Sequence, residues 1–152
     1  MLPWLTTAAV AYQPPNSTLS ASAGTPWLVG GRGEAWYADE LSIEVGAGID
    51  DPGPVGIDAA LRWRPDAICV ACDRRAMLTF GVGVGAVLHP DFAFEDPLPW
   101  AVGPDAIATF VYWFSPAYGL AISGRGGAGP RFAGTSLDGV EPWGFGAIGI
   151  AF

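Results

Sequence analysis

Between Leu41 and Arg64 the chain changes character at every residue. Leu41, Ile43, Val45, Ala47 and Ile49 alternate with Ser42, Glu44, Gly46 and Gly48. After a turn-forming Asp50-Asp-Pro-Gly-Pro54, Val55, Ile57, Ala59, Leu61 and Trp63 alternate with Gly56, Asp58, Ala60, Arg62 and Arg64. A period of two is the signature of an extended strand, whose side chains point to opposite faces in turn. Here one face is aliphatic and the other is tiny or charged. The pattern recurs in Trp27–Tyr37, Ala76–Leu88, Tyr118–Arg125 and Trp143–Phe152. Ala106–Phe114 also reads as a strand, but it is apolar on both faces and its facing is open. Residues 1–26 hold one more strand, either in Trp4–Tyr12 or in Thr18–Ala23, and a loop at Gln13-Pro-Pro-Asn-Ser-Thr. The expectation is one all-β domain over residues 1–152 with about eight antiparallel strands.

Composition narrows what solvent those strands meet. Charged residues make up 14% of the chain, all seven basic residues are Arg, and mean hydropathy is +0.34. Soluble domains average about 25% charged residues, so much of this surface is expected not to face water. No run of about 18 apolar residues offers a transmembrane helix. A net charge of −8 excludes a nucleic-acid partner, which needs a basic face. Two barrels fit. A soluble barrel would turn the aliphatic face inward and bind an apolar ligand among Ile57, Leu61, Trp63, Phe80 and Val84. A transmembrane barrel would turn it outward to lipid. Gly and Ala make a poor water-facing surface but suit a narrow interior, which favours the second.

The last strand points the same way. Ile148, Ile150 and Phe152 alternate with Ala147, Gly149 and Ala151, and the chain closes on an aromatic. This ending resembles the terminal strand of bacterial outer-membrane β-barrels, although Gly144 and Gly146 stand where larger apolar residues are usual. The resemblance implies an up-and-down transmembrane barrel of the small, eight-stranded type in the outer membrane. Its partners would be the lipid bilayer and the barrel-assembly machinery. Such barrels serve as structural anchors, partner-binding platforms or narrow channels. Met1-Leu-Pro-Trp-Leu shows neither a basic n-region nor a clear h-region, so no export signal is visible.

Barrels of this type have short periplasmic turns and longer external loops. With the N-terminus in the periplasm, the turns at Ala38-Asp39 and Ser115-Pro-Ala fall there. The stretches 89–104 and 126–142 then become external loops and the expected contact surface for other proteins. The connection 65–75 is long for a periplasmic turn, and 50–54 is short for an external one. Tyr37, Trp63, Trp113, Tyr118 and Phe152 gather at the periplasmic strand ends as an interfacial girdle, with Trp27 and Trp143 marking the other rim.

The charges Arg32, Glu34, Glu44, Asp58, Arg62, Arg64 and Arg125 share the inward face. They are read as an ion-pair plug, with an ion-selective constriction as the functional alternative. A hairpin centred near residue 53 puts Glu44 opposite Arg62, and one centred near 39 puts Glu44 beside Glu34 with Arg32 diagonal. Eight strands leave room for side chains and little else. Cys69-Val-Ala-Cys72 reads as a disulfide across a turn in an oxidising compartment; a redox motif would need a βαβ setting. Two Cys and the single His89 do not make a metal site. His89 with Asp91 and Ser136 admits a rim-level acyl-transfer or hydrolytic site, but no spacing fixes a triad, and a non-enzymatic role without cofactors is expected. Asp91, Glu95, Asp96, Asp105, Asp138 and Glu141 read as loop carboxylates. Gly144–Gly149 matches GxGxxG, yet no helix follows.

Overall fold

The computed structural model describes residues 16–38, 40–49, 55–65, 68–71, 75–89 and 99–152. They form nine antiparallel strands: β1 (Ser17–Thr25), β2 (Val29–Ala38), β3 (Leu41–Ile49), β4 (Val55–Trp63), β5 (Ile68–Ala71), β6 (Ala76–Leu88), β7 (Pro99–Trp113), β8 (Gly119–Ala133) and β9 (Ser136–Ala151). Apart from β4 and β5, sequential neighbours pair; β9 also pairs with β1 and β4 with β6, so the sheet closes on itself. Eight strands make the wall. The short β5 is a continuation of β4 along the same partner: Trp63 faces Val82 and Ile68 faces Leu78, a slip of one residue. Within the long connection expected at 65–75, residues 68–71 are therefore strand. Pro65, which has no N–H to give a ladder, marks the break.

Closure fixes the tilt. Stepping through register partners from Ala121 of β8 leads to Gly149, Ser20, Arg32, Gly46, Asp58, Val87 and Ala101, then back to β8 at Arg131, ten residues along. Such a stagger over eight strands tilts them by roughly 40° to the axis. The step sequence also runs wholly through inward-facing positions, because a register offset of even length keeps each strand's faces in place.

The wall is uneven. β1 to β4 have nine or ten residues, whereas β7, β8 and β9 have fifteen or sixteen. Beyond the last β1 pairing, Thr25 with Gly144, β9 continues with β8 as a projecting hairpin. Its tip is a two-residue turn, Gly134-Thr135, between the paired Ala133 and Ser136, with Gly134 at φ 62. Two-residue hairpins demand positive φ at that first position. The expected external loop 126–142 is thus a β-ribbon, and 99–104 of the expected loop 89–104 is strand; its residues 90–98, with Asp91, Glu95 and Asp96, lie outside the described residues. So do 1–15, the turn 50–54 and Cys72 with its expected disulfide.

The aliphatic face points out. Leu19, Val45, Ile57, Leu61, Trp63, Phe80, Val82, Val84, Ile122, Ile148 and Ile150 are all exposed on the outer wall. The interior cavity among Ile57, Leu61, Trp63, Phe80 and Val84 does not form, since all five project away from the lumen. The buried face carries the charged partners of the alternation, small residues and hydroxyls, and a few large apolar side chains near the two ends. Arg62 has no exposed surface at all, and Asp58 has 1%.

Candidate functional site

Inside the barrel four arginines meet four carboxylates. β2 supplies Arg32 and Glu34, β3 supplies Glu44, β4 and its end supply Asp58, Arg62 and Arg64, β7 supplies Asp105 and β8 supplies Arg125. Glu44, Asp58 and Arg125 have only Gly, Ala or Ser two residues away on the same face, which leaves room for long side chains to lie across the lumen.

The network has three levels. Nearest the β8–β9 ribbon, Arg32 holds Asp58 with both terminal nitrogens at 2.7 and 2.9 Å and reaches Glu44 at 3.1 Å. Arg125 joins this level from the opposite wall, donating to Glu44 at 2.8 Å and to Asp58. In the middle, Asp105 accepts from Arg62 Nε and, at 2.7 Å, from Arg125 Nε. Arg62 also reaches Glu44 at 3.3 Å and Glu34 at 3.6 Å. At the lowest level Arg64 pairs with Glu34 through Nε at 2.9 Å and through Nη2, and donates to Thr79 at 2.9 Å. Ser42 donates to Glu34 at 2.7 Å. Ionised groups out of water need such saturation, since an unpaired buried charge is strongly destabilising. Every carboxylate of the layer is taken up by arginine, which leaves none free to ligate a cation.

Apolar layers lie above and below. Toward the ribbon, Trp27, Val87, Ala101, Trp143 and Phe145 form one buried cluster. The Phe145 ring lies 3.5 Å from the Arg32 guanidinium carbon, a cation–π contact. Trp143 Nε1 donates to Asp105 at 2.8 Å. At the other end Val111, Trp113, Ala121 and Ala151 form a second cluster with Met77 against it. Above the upper layer, His89 Nε2 meets Glu141 Oε1 at 2.5 Å, and its ring stands 4.8 Å from that of Trp27.

The structure thus brings together all seven charges read as inward, and adds Asp105. That residue was placed among loop carboxylates because Gly103 and Pro104 beside it look like loop. Charge balance was the available signal: four inward arginines against three carboxylates leave one positive charge uncompensated. Glu141 likewise stands in β9, buried beside His89, and not in a loop. Glu34 pairs with Glu44 as expected, but Glu44 faces Ala60, while Arg62 faces Ser42. The β3–β4 hairpin is centred one residue earlier than its Pro-Gly composition indicated, and the Glu44–Arg62 contact is diagonal.

The aromatic rims need correction at three positions. Tyr37, Trp63, Tyr118 and Phe152 are exposed outward at one end of the barrel, but Trp113 is 4% exposed and points in. Its neighbours Tyr112 and Phe114 take the outward positions. β7 is apolar on both faces, so position along the strand could not decide facing. Trp27 and Trp143 are also buried inside. Trp27 precedes β2 on the turn, where the strand's alternation has not begun. Ser136 stands at the ribbon tip, paired with Ala133, and among the described residues no hydroxyl is bonded to His89.

Compared with known proteins, the chain matches no family model, no curated protein and no solved structure.

Proposed function

We propose that this chain is an outer-membrane β-barrel with a plugged polar interior, serving a structural or partner-binding role through its projecting ribbon and the adjoining connections. The observation that carries the reading is the inverted distribution of charge. Among the described residues, the outward positions of the strands from Leu19 to Ile150 below the ribbon are uncharged, while the arginines and carboxylates fill the inside. A water-facing wall normally mixes both signs of charge. An Arg turned to the lipid midplane would be destabilising by about 2–4 kcal/mol, so the facing of β4 is strongly set in a bilayer. The nine-residue β3, tilted by roughly 40°, covers ~20 Å of bilayer thickness, near the ~25 Å apolar band of such barrels. The exposed Tyr37, Trp63, Tyr112, Phe114, Tyr118 and Phe152 supply an interfacial belt at one edge. That edge is read as periplasmic, with the ribbon external and Phe152 presented to the barrel-assembly machinery.

The test is refolding. Chain unfolded in urea and diluted into detergent micelles is expected to give a compact form that migrates faster on a gel unless boiled. A monomer that is soluble and folded in plain buffer would sink the membrane reading. The saturated charge layer between two apolar layers favours a plug over a channel, so the wild-type barrel is expected to be silent in planar bilayers.

A further inference from the structure

Three tryptophans are buried inside the barrel and are held differently; a fourth inward one, Trp36 of β2, is partly exposed, with the Arg64 guanidinium carbon 4.6 Å from its ring centre. Trp113 stands on β7, paired with Gly119 of β8 and bonded through its backbone N–H to Arg75 O at 2.8 Å, and Trp143 stands on β9, paired with Gly127 of β8 just past the last β1 pairing. Their indole nitrogens are satisfied, Trp143 by Asp105 at 2.8 Å and Trp113 by Met77 Sδ at 3.4 Å. Trp27 stands on the short β1–β2 turn, not on a strand. It is 3% exposed, yet among the described residues its Nε1 has no hydrogen-bond partner. Buried polar groups are nearly always paired, so an orphan donor marks a place where the closed arrangement is not fully compensated. The ring is seated over Gly48 and Gly56, where an added Cβ at either glycine would overlap it. One face meets His89, which Glu141 holds from across the mouth.

We propose that two stoppers in series seal the lumen: a fixed inner one built on Trp113, and a releasable outer one, Trp27, seated on Gly48 and Gly56 and latched by His89 and Glu141. Release of Trp27 alone hydrates the charge layer from the ribbon side without opening a through-path. The charge layer itself does not complete the seal. Its side chains come mostly from β2 to β7; apart from Arg125 of β8 and Phe145 of β9, the facing wall offers small residues, among them Ser20, Ser123 and Gly149, all partly accessible. Once wet, ion pairs across the lumen are screened and loosened.

This rests on the membrane reading, and the experiment separates the two. The full chain and its variants are refolded in detergent, checked for heat-modifiable migration, and inserted into planar phosphatidylcholine bilayers in molar KCl. W27A and W113A are each expected to stay silent, and W27A/W113A to conduct steadily. G56A/W113A is expected to conduct as well, because the new methyl ejects the Trp27 ring without removing it. H89A/W113A is expected to open intermittently, as the seat remains but the latch is gone. A heat-modifiable W27A/W113A barrel that is silent, or a W113A barrel that conducts as well as the double variant, overturns the two-stopper assignment and leaves the membrane reading standing. A chain that folds in buffer and never enters a bilayer overturns both.

Discussion

Asp105 shows how much one side chain can decide in a narrow lumen. It accepts from Arg62, Arg125 and Trp143 at once and has 3% of its surface exposed. Replacing it by Ala leaves two buried guanidinium groups short of a counter-charge. Breaking a buried pair in this way is destabilising by about 3–5 kcal/mol. Asp105→Ala is therefore expected to lower the urea midpoint of the detergent-folded barrel sharply, or to abolish the heat-modifiable form. Asp138 provides the contrast. Its contact with Arg131 is 3.7 Å long and both side chains are well exposed, so Asp138→Ala is expected to leave the midpoint within error. Equal effects from the two variants would show that the lumen charges do not form a buried, mutually saturated network. Seven of the eight network residues were legible from alternation alone. Asp105 was not, because it falls just before the strand read at 106–114, beside the loop-forming Gly103 and Pro104.

At the scale of elements, strands β2, β3, β4, β6 and the lower halves of β8 and β9 were readable because large and small residues alternate without interruption. The readings failed where alternation was masked. β5 looked like connection because Pro65 breaks the pattern, although its partner strand continues past the break. The β8–β9 ribbon looked like loop because Gly and Pro are dense there, although β8 and β9 hold one another in register up to Ala133 and Ser136. A bulge occurs where Pro130 faces Val140 and Phe132 faces Leu137, with Gly139 at φ 112. One extra residue with a Gly in the left-handed region is a standard way to twist a ribbon. Glycines in this fold therefore differ in kind. Gly134→Ala is expected to be destabilising by about 1–2 kcal/mol, since φ 62 places Cβ against the following carbonyl. Gly146→Ala is expected to be neutral or slightly stabilising, because a Cβ there meets nothing within 4 Å. Urea unfolding of the two variants beside wild type measures the difference, and a costly Gly146→Ala would contradict the open outer wall.

For the whole molecule, the ten-residue stagger links tilt, diameter and thickness. A tilt of roughly 40° shortens each strand's reach along the axis. The β1–β4 side then presents an apolar band of only ~20 Å. Hydrophobic mismatch disfavours insertion into thicker bilayers. The refolded fraction in phosphatidylcholine vesicles is expected to be highest for short acyl chains and to fall steadily as the chains lengthen. Yield that ignores chain length would count against a band of that height. In the proposed membrane setting the tall β7–β9 side does not relax this limit, because the short strands would still have to match the lipid around the rest of the wall.

By itself the sequence determined that this chain is built of strands, which side chains share a face, and that charge lies opposite the aliphatic set. Those are local properties, set by a two-residue period that any strand must obey. It did not determine which of its apolar residues point inward. Trp27, Trp113, Trp143 and Phe145 share their chemistry with the outward aromatics, and only closure of the sheet sorts them. Register around a closed barrel is a collective quantity, accumulated over eight strands, and no single strand carries it. That collective stagger sets Asp105 beside Arg62 and Arg125, and it turns a set of alternating strands into a charge layer sealed at both ends.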